Sequence, residues 1–179
     1  MATLFMIAIG LNMGLYSMLP LYLVNEGGMS REVANTITGV SRLFGLIALF
    51  FSGIVSDRIG YRRAIALFLS MTGSCTLLLG LTLGGKATSL LIFLQAFSVT
   101  CLFPAGFAFV SKMFSPTIRS VAVSLVSLCG YLVGGGVIPS AIGYWAERFS
   151  FSSGFMILGA LSLSLIPFFL RHQSGKESK

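Results

Sequence analysis

The chain has 179 residues, of which 55% are hydrophobic and only 9% are charged, and its mean hydropathy is +0.93. Soluble domains carry roughly a quarter of their residues as Asp, Glu, Lys or Arg, so this composition excludes an ordinary soluble domain and predicts that lipid is the main solvent. The formal net charge of +7 raises the question of a nucleic-acid surface, which the positions of the charges decide.

Long apolar runs divide the chain into six predicted membrane-spanning helices. A helix needs about 20 apolar residues to cross a hydrocarbon core ~30 Å thick, and these runs are continuous, unlike the short alternating segments of a membrane barrel. In chain order the predicted spans are residues 2–24, 35–56, 64–83, 88–110, 120–142 and 153–170. We therefore expect an all-α membrane protein, with six transmembrane helices in one bundle over residues 1–170 and a polar tail over residues 171–179.

The basic residues between these spans predict the orientation of the bundle. One side carries eight Lys or Arg residues and the other carries three, and the more basic side of a membrane protein faces the cytoplasm. The eight are Arg58, Arg62, Arg63, Lys112, Arg119, Arg171, Lys176 and Lys179, and the three are Arg31, Lys86 and Arg148. Both termini are thus expected in the cytoplasm, in a multi-pass protein of the plasma (inner) membrane. Because sidedness accounts for most of the net charge, no nucleic-acid partner is expected.

The small residues within the spans predict close packing of helices. Glycine pairs four residues apart lie on one helical face and let two backbones approach each other. These pairs are Gly10 with Gly14, Gly80 with Gly84, and Gly130 with Gly134, and prolines that can kink a span are Pro104 and Pro139. The cysteines Cys75, Cys101 and Cys129 lie in apolar runs without metal-ligand spacing, so we interpret them as small apolar residues and expect neither a metal nor a cofactor.

The segment after the second span carries the most informative motif. Gly53 can let a neighbouring helix approach closely, Asp57 can accept hydrogen bonds from a helix N-terminus, and Gly60 permits a tight turn. The motif reads Gly-x-x-x-Asp-Arg-x-Gly-Tyr-Arg-Arg, with its fixed positions at Gly53, Asp57, Arg58, Gly60, Arg62 and Arg63. Basic residues that only mark the cytoplasmic side of a membrane protein are not expected to follow such a fixed spacing.

This motif resembles the signature loop of the major facilitator superfamily, whose transporters are built from two six-helix halves. Tyr61 stands where the family commonly has another polar or basic residue. A short Pro/Arg segment over residues 114–119 is similar to the family's segment before the fifth helix of a half. The resemblance covers the whole chain as one half-bundle, and implies no enzymatic activity.

The first span and its following loop resemble the seventh helix of such carriers, and the polar tail resembles their C-terminus. The resemblance thus implies the C-terminal half, with a second six-helix half as partner. In the family the loop carboxylate docks on a helix end of the other half and holds the outward-open state, which implies that the partner of Asp57 lies outside this chain.

Arg42 is the one charged residue inside a predicted span. An ionisable side chain in lipid is costly unless it faces a cavity or a partner. Two interpretations stay open: Arg42 contacts an anionic substrate, or it extends to the membrane surface, since it lies seven residues after the start of its span.

Polar residues on the first and fourth spans are further candidates for a solute site. The family lines its cavity with these two helices, which here carry Asn12, Tyr16, Gln95 and Ser98, with Cys101 and Ala105 on the same face. Such side chains can hydrogen-bond a substrate near the midplane, or they can bond neighbouring helices.

The predicted function is transport of a small solute across the membrane by alternating access, as half of a secondary transporter. A truncated, non-transporting carrier fragment is the main alternative. An intramembrane enzyme is disfavoured, because a membrane protease needs a Ser–His pair and the single histidine, His172, lies outside the spans.

Overall fold

A computed structural model describes residues 2–82 and 84–174, with the side chains of residues 2, 168 and 170–174 left out. These residues form long helices joined by short turns, and no strand occurs among them. The helices are α1 (Ala2–Ile9, a π-helical turn at Gly10–Gly14, and Leu15–Asn25), α2 (Arg31–Ile59), α3 (Tyr61–Leu81), α4 (Gly85–Met113), α5 (Arg119–Gly130, a π-helical turn at Tyr131–Val137, and Ile138–Arg148) and α6 (Phe151–Ser174). The all-α prediction is confirmed.

Five of these helices, α1 to α5, are long and apolar enough to cross a membrane. The apolar part of α6 within the described residues, Phe151–Pro167, is shorter than the roughly 20 residues that a membrane span needs. The sixth span and the position of the termini therefore stay predictions. Of the predicted tail over residues 171–179, the backbone is helical to Ser174, and residues 175–179 lie outside the described part, as does Leu83 at the end of the third predicted span.

Several helices extend beyond the predicted spans because polar residues continue the helical backbone past the apolar runs. α2 starts at Arg31 instead of residue 35, since the Ser30 side chain accepts a hydrogen bond from the amide of Val33 and caps the helix. α5 continues to Arg148 instead of residue 142. With 29 residues, α2 is about 44 Å long, which exceeds the ~30 Å hydrocarbon core.

The core lies among α1, α3 and α4. The most apolar stretches of these helices are 50–61% buried, compared with 22% for α2 and 11% for α5. Fully buried side chains from all three helices meet there, including Leu15, Leu69 and Val99. α6 packs closely on α3, where a Cβ placed on Gly159 would lie 2.6 Å from the backbone nitrogen of Leu77. The unit thus leaves broad apolar faces of α2 and α5 uncovered.

The two π-helical turns pack against each other. A Cβ on Gly134 of α5 would lie 2.5 Å from the carbonyl oxygen of Met6 and 2.7 Å from the amide nitrogen of Gly10. This confirms the predicted close packing at the Gly10 and Gly130 pairs. Gly80 also packs closely, since its Cβ would lie 2.5 Å from the Ser152 carbonyl oxygen of α6, but Gly84 does not share its helical face, because α3 ends at Leu81 and Gly84 adopts φ +77° before α4.

Candidate functional site

A polar cluster lies near the middle of three helices. Its members are Asn12 and Tyr16 on α1, Arg42 on α2 and Gln95 on α4. Arg42 follows the start of α2 by 11 residues, or about 16 Å along the helix. The structure therefore brings together four of the five sequence-predicted solute residues.

The π-helical turn of α1 supplies the acceptors for this cluster. The amide of Leu15 bonds to the carbonyl of Gly10, five residues earlier, instead of the carbonyl of Leu11. A π turn therefore leaves a carbonyl to find another partner. The Leu11 carbonyl accepts a hydrogen bond from Gln95 Nε2 at 3.0 Å, so an irregular helix turn fixes the position of a polar side chain from α4.

Arg42 is bound to α1 by three contacts. Its Nη1 donates to Asn12 Oδ1, its Nη2 donates to the Asn12 carbonyl at 2.9 Å, and its guanidinium lies 3.8 Å from the centre of the Tyr16 ring. The side chain is half-buried. These hydrogen bonds hold the Arg42 guanidinium against α1, and its extension to the membrane surface stays a prediction. A role in solute binding stays a prediction.

Tyr16 and Gln95 connect α1 to α4. The Tyr16 hydroxyl donates to the Ile92 carbonyl at 3.2 Å, and both side chains are buried. These are the interhelical bonds that the sequence left open as an alternative. Gln95 Oε1 is buried and has no hydrogen-bond partner among the described residues.

Ser98 and Cys101 lie outside this cluster. Ser98 is buried and donates within its own helix to the Leu94 carbonyl at 2.8 Å. Cys101 Sγ approaches the Ala48 carbonyl at 3.2 Å, and the Cys101 carbonyl accepts from Ser52 at 2.6 Å, so this part of α4 packs on α2.

The motif between α2 and α3 forms a tight, exposed turn. Gly60 has φ +85°, which explains why glycine is needed there. Asp57 is exposed and accepts a hydrogen bond from the Tyr61 hydroxyl at 2.9 Å. Lys112, at the end of α4, lies 4.2 Å from the centre of the Tyr61 ring. Tyr61, the departure from the family pattern, thus connects the loop carboxylate to α4.

The other motif residues lie around this turn. Arg58 is exposed in the last turn of α2, while Arg62 is half-buried and Arg63 is exposed in the first turn of α3. The prediction that Gly53 packs on a neighbouring helix is not met within this unit: Gly53 is exposed, and no described atom of another helix lies within 4 Å of the position of its Cβ. The buried face of α2 instead carries Ser41, Gly45, Ala48, Ser52 and Ser56.

Two residues at the opposite end of the bundle were missed by sequence reasoning. Glu26 follows α1 and accepts hydrogen bonds from the amide of Phe151 and from the amide and hydroxyl of Ser152, so it caps α6. The Tyr22 hydroxyl donates to the Leu79 carbonyl at 2.7 Å near the end of α3. The signal for Glu26 was only a carboxylate in a short polar loop.

Comparisons with known proteins agree with this architecture. Residues 1–179 match the family model of the Major Facilitator Superfamily. An MFS-type efflux pump of Mycolicibacterium smegmatis is 27% identical over 150 residues, covering 78% of this chain and 33% of the pump. A gallate transporter of Pseudomonas putida is 30% identical over 131 residues, covering 68% of this chain and 29% of that protein. The chain thus spans about a third of the length of these relatives.

The family match covers the whole chain, and both relatives are named as transport proteins. The apolar helices described above are those of a multi-pass membrane protein. The chain therefore belongs to the major facilitator superfamily, a family of membrane transporters rather than enzymes.

Proposed function

We propose that the chain is one six-helix half of a secondary transporter that moves a small solute by alternating access. The observation that carries the proposal is the polar cluster around Asn12 and Arg42, which lies near the middle of α1, α2 and α4. Transporters of this type bind their solutes near the bilayer midplane, between their repeats. The cluster offers polar contacts at that level.

A second six-helix half is the proposed partner. The exposed faces of α2 and α5 supply a broad apolar surface, and Gly53 on α2 is open to a close approach by another helix. Paired halves of this family are related by an axis along the membrane normal. The proposed arrangement places both termini of this half and the Asp57 loop on the cytoplasmic side of the plasma membrane.

Asp57 is the proposed gating carboxylate. Its side chain is exposed at the end of α2, and the contact it makes is with Tyr61. A helix N-terminus of the second half can replace this contact, because carboxylates are stabilised there by the free amides and the helix dipole. Forming and breaking that contact would separate two conformations of the carrier.

The names of the relatives leave the solute open. One relative is named as an efflux pump and the other as a transporter of gallate, so one name states a direction and the other a cargo. A non-transporting fragment is the competing outcome, and a transport measurement separates it from a carrier.

The test measures uptake of labelled solutes by membrane vesicles from the native host, with and without the chain. Vesicles with the chain are expected to show saturable uptake, and Asp57→Asn is expected to reduce it at least about tenfold while leaving membrane insertion intact. Glu32→Gln is the matched control, because Glu32 is an acid in the first turn of the same helix, at its other end.

Two results would contradict the proposal in different ways. Equal uptake of the tested solutes by vesicles with and without the chain would contradict a carrier for those solutes and favour the fragment. Robust uptake by the purified chain alone in liposomes would contradict the need for a second half.

A further inference from the structure

We propose that the polar cluster binds a small organic anion that also carries a hydroxyl group, with Arg42 holding the anionic group. The inference rests on the proposed function and specifies the class of solute. It starts from the charge of Arg42, which no carboxylate of the described chain contacts: the partners of its guanidinium are Asn12 and the Tyr16 ring.

The positions of the acidic residues explain why this charge is uncompensated. Glu32 and Asp57 lie on the same helix, 10 and 15 residues away, which corresponds to about 15 Å and 22 Å. Glu26 is bound to the start of α6, and Glu147 lies in the last turn of α5. A cation in the middle of a membrane protein is energetically unfavourable without an acidic partner. A bound anion offsets this free-energy cost.

The contacts of Arg42 leave donors for such an anion. A guanidinium has five N–H groups, and one bond from each of Nη1 and Nη2 goes to Asn12. The side chain is half-buried rather than enclosed. A carboxylate can therefore bind the remaining donors, and charge-assisted bonds of this kind are stronger than neutral ones.

Gln95 supplies the second, independent observation. Its side chain is 0% exposed, and its Oε1 has no partner among the described residues. A buried acceptor without a donor is unfavourable. Gln95 and Arg42 bond to the carbonyls of consecutive residues, Leu11 and Asn12, whose Cα atoms are about 3.8 Å apart. One small solute can thus bring its anionic group to Arg42 and a hydroxyl donor to Gln95 in a conformation that opens the enclosed Gln95 Oε1.

The side chain beside the cluster on α1 suits the apolar body of such a solute. Met13 follows Asn12 and is exposed, and its sulfur lies 3.7 Å from the position of a Cβ on Gly135. Methionine is flexible and packs well against aromatic rings. A hydroxylated aromatic acid is therefore a suitable probe.

The test is equilibrium binding of labelled 4-hydroxybenzoate to the purified full chain, with benzoate and 4-hydroxybenzamide as competitors. We expect Arg42→Gln to weaken binding of 4-hydroxybenzoate at least about tenfold, and the neutral amide to compete poorly. Gln95→Leu is expected to lower the affinity for 4-hydroxybenzoate more than the affinity for benzoate.

Arg148→Gln is the matched control. Arg148 also lies over a tyrosine ring, 4.7 Å from the centre of Tyr144, but at the end of α5. This variant removes the same charge and the same kind of ring contact, and it is expected to bind the anion as the wild type does. If Arg42→Gln does not fold, Arg42→Lys keeps the charge and is expected to retain the preference for the carboxylate over the amide.

Several results would overturn the inference. These are the absence of saturable binding, equal binding of the amide and the carboxylate, and equal weakening by Arg42→Gln and Arg148→Gln. Binding needs no transport, so the two proposals can fail separately. If vesicles transport the solute but Arg42→Gln does not change its binding, this inference alone is refuted. If binding depends on Arg42 but no transport occurs, the proposed function alone is refuted.

Discussion

Replacing Gly134 by alanine tests the packing of the two π-helical turns. The new Cβ would lie 2.5 Å from the Met6 carbonyl oxygen and 2.7 Å from the Gly10 amide nitrogen. Ordinary contact begins near 3.4 Å, so α1 and α5 would have to separate by about 0.9 Å. Both obstructing atoms belong to the backbone, which cannot move aside as a flexible side chain can.

Gly136→Ala supplies the scale for this effect. Gly136 lies in the same turn, and no described atom lies within 4 Å of the position of its Cβ. Alanine is favoured over glycine in a helix by about 0.5–1 kcal/mol, and both variants receive this gain. Overpacking costs about 1–3 kcal/mol. The free energy of unfolding of Gly134→Ala is therefore expected to be lower than that of Gly136→Ala by about 1–3 kcal/mol.

The assay is unfolding of the purified chain in mild detergent by added SDS, followed by far-UV circular dichroism. Both variants are compared with the wild type at equal detergent-to-protein ratio. A Gly134→Ala protein as stable as Gly136→Ala would refute the close approach of the two turns.

Three further substitutions test other parts of the fold in the same unfolding assay. Glu26→Gln removes the charged cap of α6 and is expected to lower the free energy of unfolding by about 1–2 kcal/mol. Its control, Glu32→Gln at an exposed position, is expected to lower it by under about 0.5 kcal/mol, and equal losses of stability would contradict the cap. Gly60→Ala forces alanine to φ +85° and is expected to cost about 1–3 kcal/mol. Gly53→Ala enters open space and should leave the stability of the chain unchanged, while reducing transport by vesicles that contain the second half.

The sequence predicted the helical fold because hydropathy reports directly on burial in lipid. It did not predict where α2 begins, because the capping residue Ser30 and the polar first turn lie outside the apolar run. It also did not predict that Gly53 stays uncovered within this unit. Gly53 and Ser52 are neighbours on the helix, and only the positions of the other helices decide which one is covered.

The sequence predicted which residues form the candidate site, but it did not predict how they are arranged. Arg42 was found because it is the one charged residue in a predicted span. Asn12, Tyr16 and Gln95 were found because they lie on the two helices with which the family lines its cavity. Their contacts depend on the π-helical turn at Gly10–Gly14. The hydropathy pattern does not show this turn, because a one-residue change in hydrogen-bond register does not alter which residues are apolar. The contact between Glu26 and Ser152 joins residues 126 positions apart, which no local pattern reveals.

Counterflow of labelled 4-hydroxybenzoate in native-host vesicles most directly tests the claim that this half-bundle carries an anion through its central cluster. We expect exchange by the wild type and by Arg148→Gln, and little or no exchange by Arg42→Gln at equal protein content. Exchange by Arg42→Gln at the wild-type rate would contradict it.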